Sequence, residues 1–171
     1  MVDPDRFSLA LKASSAKPQL SSLSYAIAML GASLSDEYAH LEERCYHCSR
    51  KYLEMTERQE DGANFVSIDA LQACVLITWY EFKGTGFARA WMSLGRAIRL
   101  AKMLGLHQMD RDDPLRVGSG FQLPLPATEG SAELEERRRT FWVLFIFDAY
   151  ASVRTGSQMT IQEAEVSPIL P

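Results

Sequence analysis

From Leu23 to about Met55 the apolar residues Tyr25, Ala26, Met29, Leu30, Leu34, Tyr38, Leu41 and Cys45 follow three- and four-residue steps. That spacing lines one face of a helix, and a break is expected near Gly31 to Ser35. The mixed charges of the later half, Asp36, Glu37, Glu42, Glu43, Arg44, Arg50, Lys51 and Glu54, read as a solvated face. Ser67 then precedes Ile68 with Asp69 in the first turn, which predicts an N-cap: the serine oxygen accepts an orphan backbone N–H, and the acid favours the positive dipole end. The helix it opens runs to about Phe82 and is apolar almost all round, so it belongs in the middle of the domain. After Lys83-Gly-Thr-Gly86, a third helix spans Ala88 to Leu104. Trp91, Leu94, Ile98 and Ala101 form its apolar face, and Arg89, Arg96, Arg99 and Lys102 lie largely off it. So short a joint requires the two helices to pack antiparallel. Gly105 suits a left-handed C′ residue, with Leu106 set to touch Ala101 in a Schellman stop.

The stretch from His107 to about Ser131, with Pro114, Gly118, Gly120, Pro124, Pro126 and Gly130, exceeds most connections within a domain and is either a mobile surface loop or a functional one. A fourth helix, Ala132 to about Val153, opens with Glu133, Glu135 and Glu136 and runs through Phe141, Trp142, Leu144, Phe145, Ile146 and Phe147, which predicts heavy burial. Gly156 ends it, and Thr155 to Pro171 reads as an extended tail without strand alternation. The expected fold is all-α: a single-domain bundle of antiparallel helices with a long loop before the last main helix, residues 1–22 forming a lead-in and 23–171 the domain. Trp91 and Trp142 are expected in its core.

Composition narrows the classes. The 171 residues are 47% hydrophobic and 23% charged, enough for one domain with a sizeable core. Lys and Arg total 18 against 22 Asp and Glu, and the net charge of −4 argues against a chain whose main work is wrapping nucleic acid. Three cysteines cannot all pair, and Met1-Val-Asp-Pro-Asp-Arg-Phe7 places acids where a secretory signal needs a basic region, so the expectation is an intracellular, reducing compartment. The apolar run from Phe141 to Phe147 stops at Asp148, far short of the roughly 20 residues that a bilayer span requires.

Candidate chemistry is sparse. Cys45-Tyr-His-Cys48 with His40 has zinc-ligand residue types, but the flanks are helical and the second pair that a structural zinc site needs is missing; packing cysteines are the expectation. Asp110-Arg-Asp-Asp113 offers oxygen ligands without the spacing of a calcium loop and reads as a solvated turn before Pro114. His40, His47 and His107 stand in no nucleophile motif, and Gly84-Thr-Gly86 lacks the later glycine and preceding strand of a phosphate loop, so no catalytic residue is assigned. Arg137-Arg-Arg139 lies within one turn of three glutamates, which predicts a salt-bridged face, with Arg139 also placed to anchor Asp148 or another helix.

The blocks Leu71-Gln-Ala-Cys-Val-Leu-Ile-Thr-Trp-Tyr-Glu81, Ala88-Arg-Ala-Trp91 through Gly105-Leu-His107, and Glu136-Arg-Arg-Arg-Thr-Phe-Trp142 with Phe147-Asp148, taken in this order, resemble the fungal-specific transcription factor domain. This is the middle homology region that follows the binuclear zinc cluster of fungal regulators. The closing Val166-Ser-Pro-Ile-Leu-Pro171 is similar to that family's ending, and the stretch from Ala90 to His107 is the most specific. The resemblance marks Trp91, Gly95, Leu104, Gly105, Leu106, His107, Arg138, Arg139, Trp142 and Asp148 as motif positions. Gly156-Ser-Gln158 departs from the family's Gly-Arg-Pro turn, and the six-cysteine zinc cluster that reads DNA is missing. The family domain commonly continues further, so the chain reads as a truncated gene product, an excised fragment or an orphan regulator.

What the resemblance implies is a nuclear regulatory or effector-response module without catalytic activity. It would control transcription by RNA polymerase II through a linked DNA-binding domain and meet DNA only indirectly. Protein partners or self-association, and a small-molecule effector, are implied, with no membrane and no cofactor in this chain; zinc is expected only in the absent domain. Two rivals remain. A free helical adaptor of tetratricopeptide type, built on Trp79, Tyr80, Ala88 and Trp91, lacks the 34-residue self-similarity; a divalent-ion enzyme using Asp110 to Asp113 lacks a partner motif.

Overall fold

The computed structural model describes residues 1–13, 17–58, 65–84, 86–109, 123, 125, 126, 128, 130–162 and 166. Among them there are six α-helices and no strand: α1 (Pro4–Ala13), α2 (Pro18–Ala32), α3 (Glu42–Arg58), α4 (Ile68–Gly84), α5 (Phe87–Met103) and α6 (Ser131–Thr155). The segment from Asp110 to Asp113 and most of the long connection lie outside the described residues.

Helix α4 is the axis. Its residues from Ala70 to Thr78 are all buried, as its apolar circumference requires. Helix α2 packs on α3 and α4, α5 lies along α4, and α6 closes the other side against α4 and α5. The expected cap is present, with the Ala70 N–H donating to Ser67 Oγ at 3.2 Å. Small side chains let α2 and α3 approach closely: Ser22 Oγ donates to the Ser49 carbonyl and Ser49 Oγ to that of Ser22, each at 2.9 Å and fully buried.

Helix α2 begins at Pro18, five residues before the first periodic leucine. Proline at N1 has no N–H to lose and a φ already set for a helix, and Leu20 behind it is buried. The stretch expected as a lead-in also holds α1. The break falls after Ala32, where Ser33 Oγ donates to the Leu30 carbonyl; a 3₁₀ turn at Ala39–Leu41 leads into α3. Leu34 and Tyr38 therefore do not share the buried face assigned to them. They sit in the connection, 80% and 50% exposed.

Helix α5 stops as its glycine predicts. Gly105 is left-handed at φ 74°, and its N–H donates to the Lys102 carbonyl at 3.1 Å, the inner bond of a Schellman stop. Gly156, also left-handed at φ 69°, ends α6 with a single bond instead, its N–H donating to the Ser152 carbonyl four residues back at 2.9 Å.

Two tryptophans depart from expectation. Trp91 is half-buried, because the fully buried line of α5 runs through Ala90, Leu94, Ala97 and Ala101 and Trp91 stands one position off it. Trp142 is half-buried because seven consecutive apolar residues point to every side of a helix, while among the described residues α6 packs chiefly on α4, α5 and the turn that follows α5. Phe141 and Leu144 take the inner side; Ile146 is 61% and Val153 87% exposed, so α6 is not buried throughout.

Candidate functional site

Every third or fourth residue of α5 from Arg89 onward, namely Arg89, Met92, Arg96, Arg99 and Met103, falls on one outward stripe. This stripe is one wall of a groove of about 500 Å³. Arg50 from α3 and Phe65, just before α4, form the facing wall, with Trp91, Ser93, Gly95 and Leu100 between them. The volume lies within the range of small-molecule sites. Gly95 leaves its part of the groove open: a Cβ placed there would meet nothing within 4 Å.

Four guanidinium groups line the groove, in unequal states. Arg50 is fixed. It donates to Glu81 Oε1 and to Ser93 Oγ, both at 3.1 Å, and the Tyr46 hydroxyl donates to the same carboxylate oxygen at 2.6 Å. Glu81 is 1% exposed, so its charge requires these donors. Burial first, then the bond to Glu81 and its charge, push the Tyr46 phenol up; Arg89 and Arg50 pull it down. Arg96 reaches across to Glu57 of α3 at 2.9 Å. Arg99 is exposed and forms no ion pair among the described residues.

The residues marked by sequence divide between this groove and several other places. Trp91 and Gly95 belong to the groove. Leu106, His107, Arg138 and Trp142 meet around a void of about 10 Å³ with Met109, Phe141 and Val166, no larger than one water, so these residues are packing. Leu104 is buried beside Gly105 at the end of α5. Asp148, 2% exposed, accepts the Ile161 N–H at 2.7 Å and pins the tail to α6. It has no bond to Arg139, which instead donates to Glu135 at 2.7 Å; Arg138 shares that carboxylate at 2.9 Å and Arg137 takes Glu133 at 2.6 Å. Nine residues separate Arg139 from Asp148, more than two turns of helix, whereas Glu135 stands one turn back.

On the outer face of α3, His47 Nε2 lies 3.6 Å from Glu43 and both are exposed, while Cys45 and Cys48 are half-buried free thiols. Burial raises the Cys45 thiol, and that of buried Cys74 to about 12. Among the described residues no group of three His, Cys, Asp or Glu side chains converges as a metal site would need. No helix among them is long and apolar enough to cross a membrane.

Sequence reasoning missed a second ionic cluster, near the start of α6. Arg6 of α1 donates to Glu136 through Nε at 2.7 Å and a terminal nitrogen at 3.1 Å, and pairs with Asp69 at 2.8 Å. Gln72 Nε2 donates to Glu136 at 2.9 Å and to the Met1 carbonyl at 3.0 Å. The signal was the polar Gln72 within an otherwise apolar α4, since a buried amide needs partners.

The model of the fungal specific transcription factor domain matches residues 5–171. The chain belongs to that family. The match reaches back into α1, which the Arg6 cluster ties to the body of the domain. Relatives similar to the chain include the depudecin biosynthesis cluster-specific transcription activator of Alternaria brassicicola, 37% identical over 170 residues, covering 96% of this chain and 26% of the relative. The pigment biosynthesis transcriptional activator of Monascus ruber is 32% identical over 150 residues, covering 87% and 26%. The citrinin biosynthesis transcriptional activator of Monascus purpureus is 33% identical over 149 residues, covering 87% and 24%. The chain thus spans about a quarter of the length of the curated relatives it matches. No solved structure matches it.

Proposed function

We propose that this domain is the regulatory module of a nuclear transcription activator serving a biosynthetic gene cluster, and that it acts through a linked DNA-binding segment rather than by touching DNA itself. The observation that carries the reading is the family match over residues 5–171, shared with activators of such clusters. The module works by binding and by mechanical coupling, without catalysis and without a resident metal or cofactor. Zinc belongs to the linked DNA-binding segment of the kind the family carries.

Coupling has a structural route. Helix α6 holds the start of the chain through Glu136 and Arg6, and the segment after it through Asp148 and the Ile161 N–H. A shift of α6 against α4 and α5 is therefore felt at both attachments, and occupancy of the groove on α5 biases that shift. Ligand energy drives such a change only to the extent that it differs between the two arrangements.

The test replaces this domain in a reporter. The 171-residue chain is placed between a heterologous DNA-binding domain and an activation domain, and compared with a flexible linker of equal length. The expected result is a several-fold difference in output, moved toward the linker value by Glu136→Ala. Output equal to the linker, with the fusion expressed and nuclear, sinks the reading.

A further inference from the structure

The groove on α5 is built for one kind of small molecule. Its free charge is positive, since neither Arg99 nor Arg89, which stands beside the Tyr46 hydroxyl, has an ion pair among the described residues, while Arg50 and Arg96 are held by acids. Helix α5 contains no acidic residue with which to neutralise Arg99 from within. Its other surfaces are soft and apolar: the half-buried ring of Trp91, Phe65, and Met92, 73% exposed. Guanidinium groups, an indole and thioethers lining one groove complement a ligand with an anionic end and a flat apolar body. Gly95 supports this. A glycine within a helix costs roughly 1 kcal/mol relative to alanine, and close packing does not explain it, because nothing stands within 4 Å of where its Cβ would be. The space it leaves open is the floor of the groove.

We propose that the groove binds an aromatic or polyunsaturated organic anion, with Arg99 and Arg89 holding the carboxylate or phenolate and Trp91, Met92 and Phe65 holding the apolar body over Gly95. The fixed part of the site is the Tyr46–Glu81–Arg50–Ser93 chain, which holds the α3 wall against α5 before any ligand arrives. Preorganisation of this kind leaves more of the contact energy for affinity. The inference deepens the regulatory reading, and rests on it for calling the ligand an effector.

Calorimetric titration of the whole chain with 2-naphthoate, against neutral 2-naphthalenemethanol and against inorganic phosphate, tests it. The expected result is saturable binding of one naphthoate per chain, with the alcohol and phosphate each weaker by about tenfold or more, the share of one charge-assisted hydrogen bond. Arg99→Gln should lower naphthoate affinity about tenfold with an unchanged melting temperature, Gly95→Leu should block binding with helicity retained, and Arg139→Gln on α6 should leave binding unchanged. Equal binding of the alcohol overturns the proposal, as does indifference to both groove variants. Preference for an acidic peptide over naphthoate overturns it too, by making the groove a protein site. The reporter experiment and this titration fail separately: a linker-like reporter output leaves the naphthoate result standing, and absent naphthoate binding leaves the coupling through α6 standing.

Discussion

Helices α5 and α6 carry similar sets of basic residues and use them in opposite ways. In α6 the triplet Arg137 to Arg139 follows Glu133 and Glu135 at three- and four-residue distances, and each arginine finds a carboxylate of its own helix. In α5, Arg89, Arg96 and Arg99 have no acid anywhere in the helix, so neutralisation must come from another element and among the described residues reaches only Arg96, through Glu57. A dense run of arginines is thus the more nearly neutralised surface, three guanidinium groups on two carboxylates, and a dispersed set is the more positive one. What decides is the nearest acid along the helix, which a count of charges does not reveal. Arg6 shows the third outcome: its charge is held above the usual arginine range although burial opposes this, because Glu136 and Asp69 both bind it.

The comparison breaks most sharply at Glu136, 4% exposed, which receives Arg6, Gln72 and the Asp3 N–H. Glu136→Ala should destabilise the domain by about 3 kcal/mol, in the range for removing one partner of a buried pair. Denaturant unfolding measures it. A loss below about 1 kcal/mol, within the range of ordinary surface substitutions, would mean that α1 is not part of the folded unit.

Next in size are the tryptophans. Since both rings are half-buried, Trp142→Ala and Trp91→Ala should each cost about 1.5 to 2 kcal/mol rather than the roughly 3 to 5 of a full core truncation. Trp142 belongs at the upper end, because Phe141 and Phe145 pack edge-on to it at 6.1 and 5.4 Å; among the described aromatic rings Trp91 meets Phe87 alone, at 5.9 Å. Equal and larger losses on thermal unfolding would put both rings inside and take Trp91 out of the groove.

How far the sequence could be read follows from the range of each signal. Caps, glycine stops and the apolar girth of α4 act within a few residues, so Ser67, Gly105, Gly156 and the run from Ala70 to Thr78 were legible. The pairing of α6 arginines with their own glutamates was legible for the same reason. Tertiary partners were not. Arg6 and Glu136 lie 130 residues apart, and Arg50 and Glu81 lie 31 apart, so only the folded chain brings them together. The tryptophans failed for a geometric reason: an apolar face on a helical wheel has edges, and neighbouring helices decide which edge is covered. The groove was half legible, because the stripe from Arg89 to Met103 is visible in sequence while its facing wall comes from α3 and the start of α4.

Gly95→Ala sharpens the α5 side of the comparison with a gain. The added methyl meets no atom within 4 Å and the position is helical, so stability should rise by about 0.5 to 1 kcal/mol. A loss on thermal unfolding would show that the space over Gly95 is closed and would remove the floor of the groove.

The smallest effect lies on α6 and depends on pH. Hydrogen bonds from Arg139 and Arg138 hold the Glu135 carboxyl below its ordinary value of 4.5, and Thr128 first, then Arg137, do the same for Glu133. A carboxylate whose folded pKa is depressed binds fewer protons in the native state than in the unfolded one, so its contribution is present above 4.5 and is lost as the pH falls through the lowered folded value. Arg139→Gln should therefore leave the melting temperature near its parent value at neutral pH, because the pair is exposed and screened, and the slight deficit should vanish in acid. Arg99→Gln offers the contrast. With no carboxylate to release among the described residues, it should give a melting temperature that tracks the parent at every pH, or exceeds it slightly at low pH where positive charge accumulates. A deficit for Arg99→Gln that appears only above about pH 4.5, the range in which carboxylates are charged, would reveal an acid partner for Arg99 and erase the difference between the two helices.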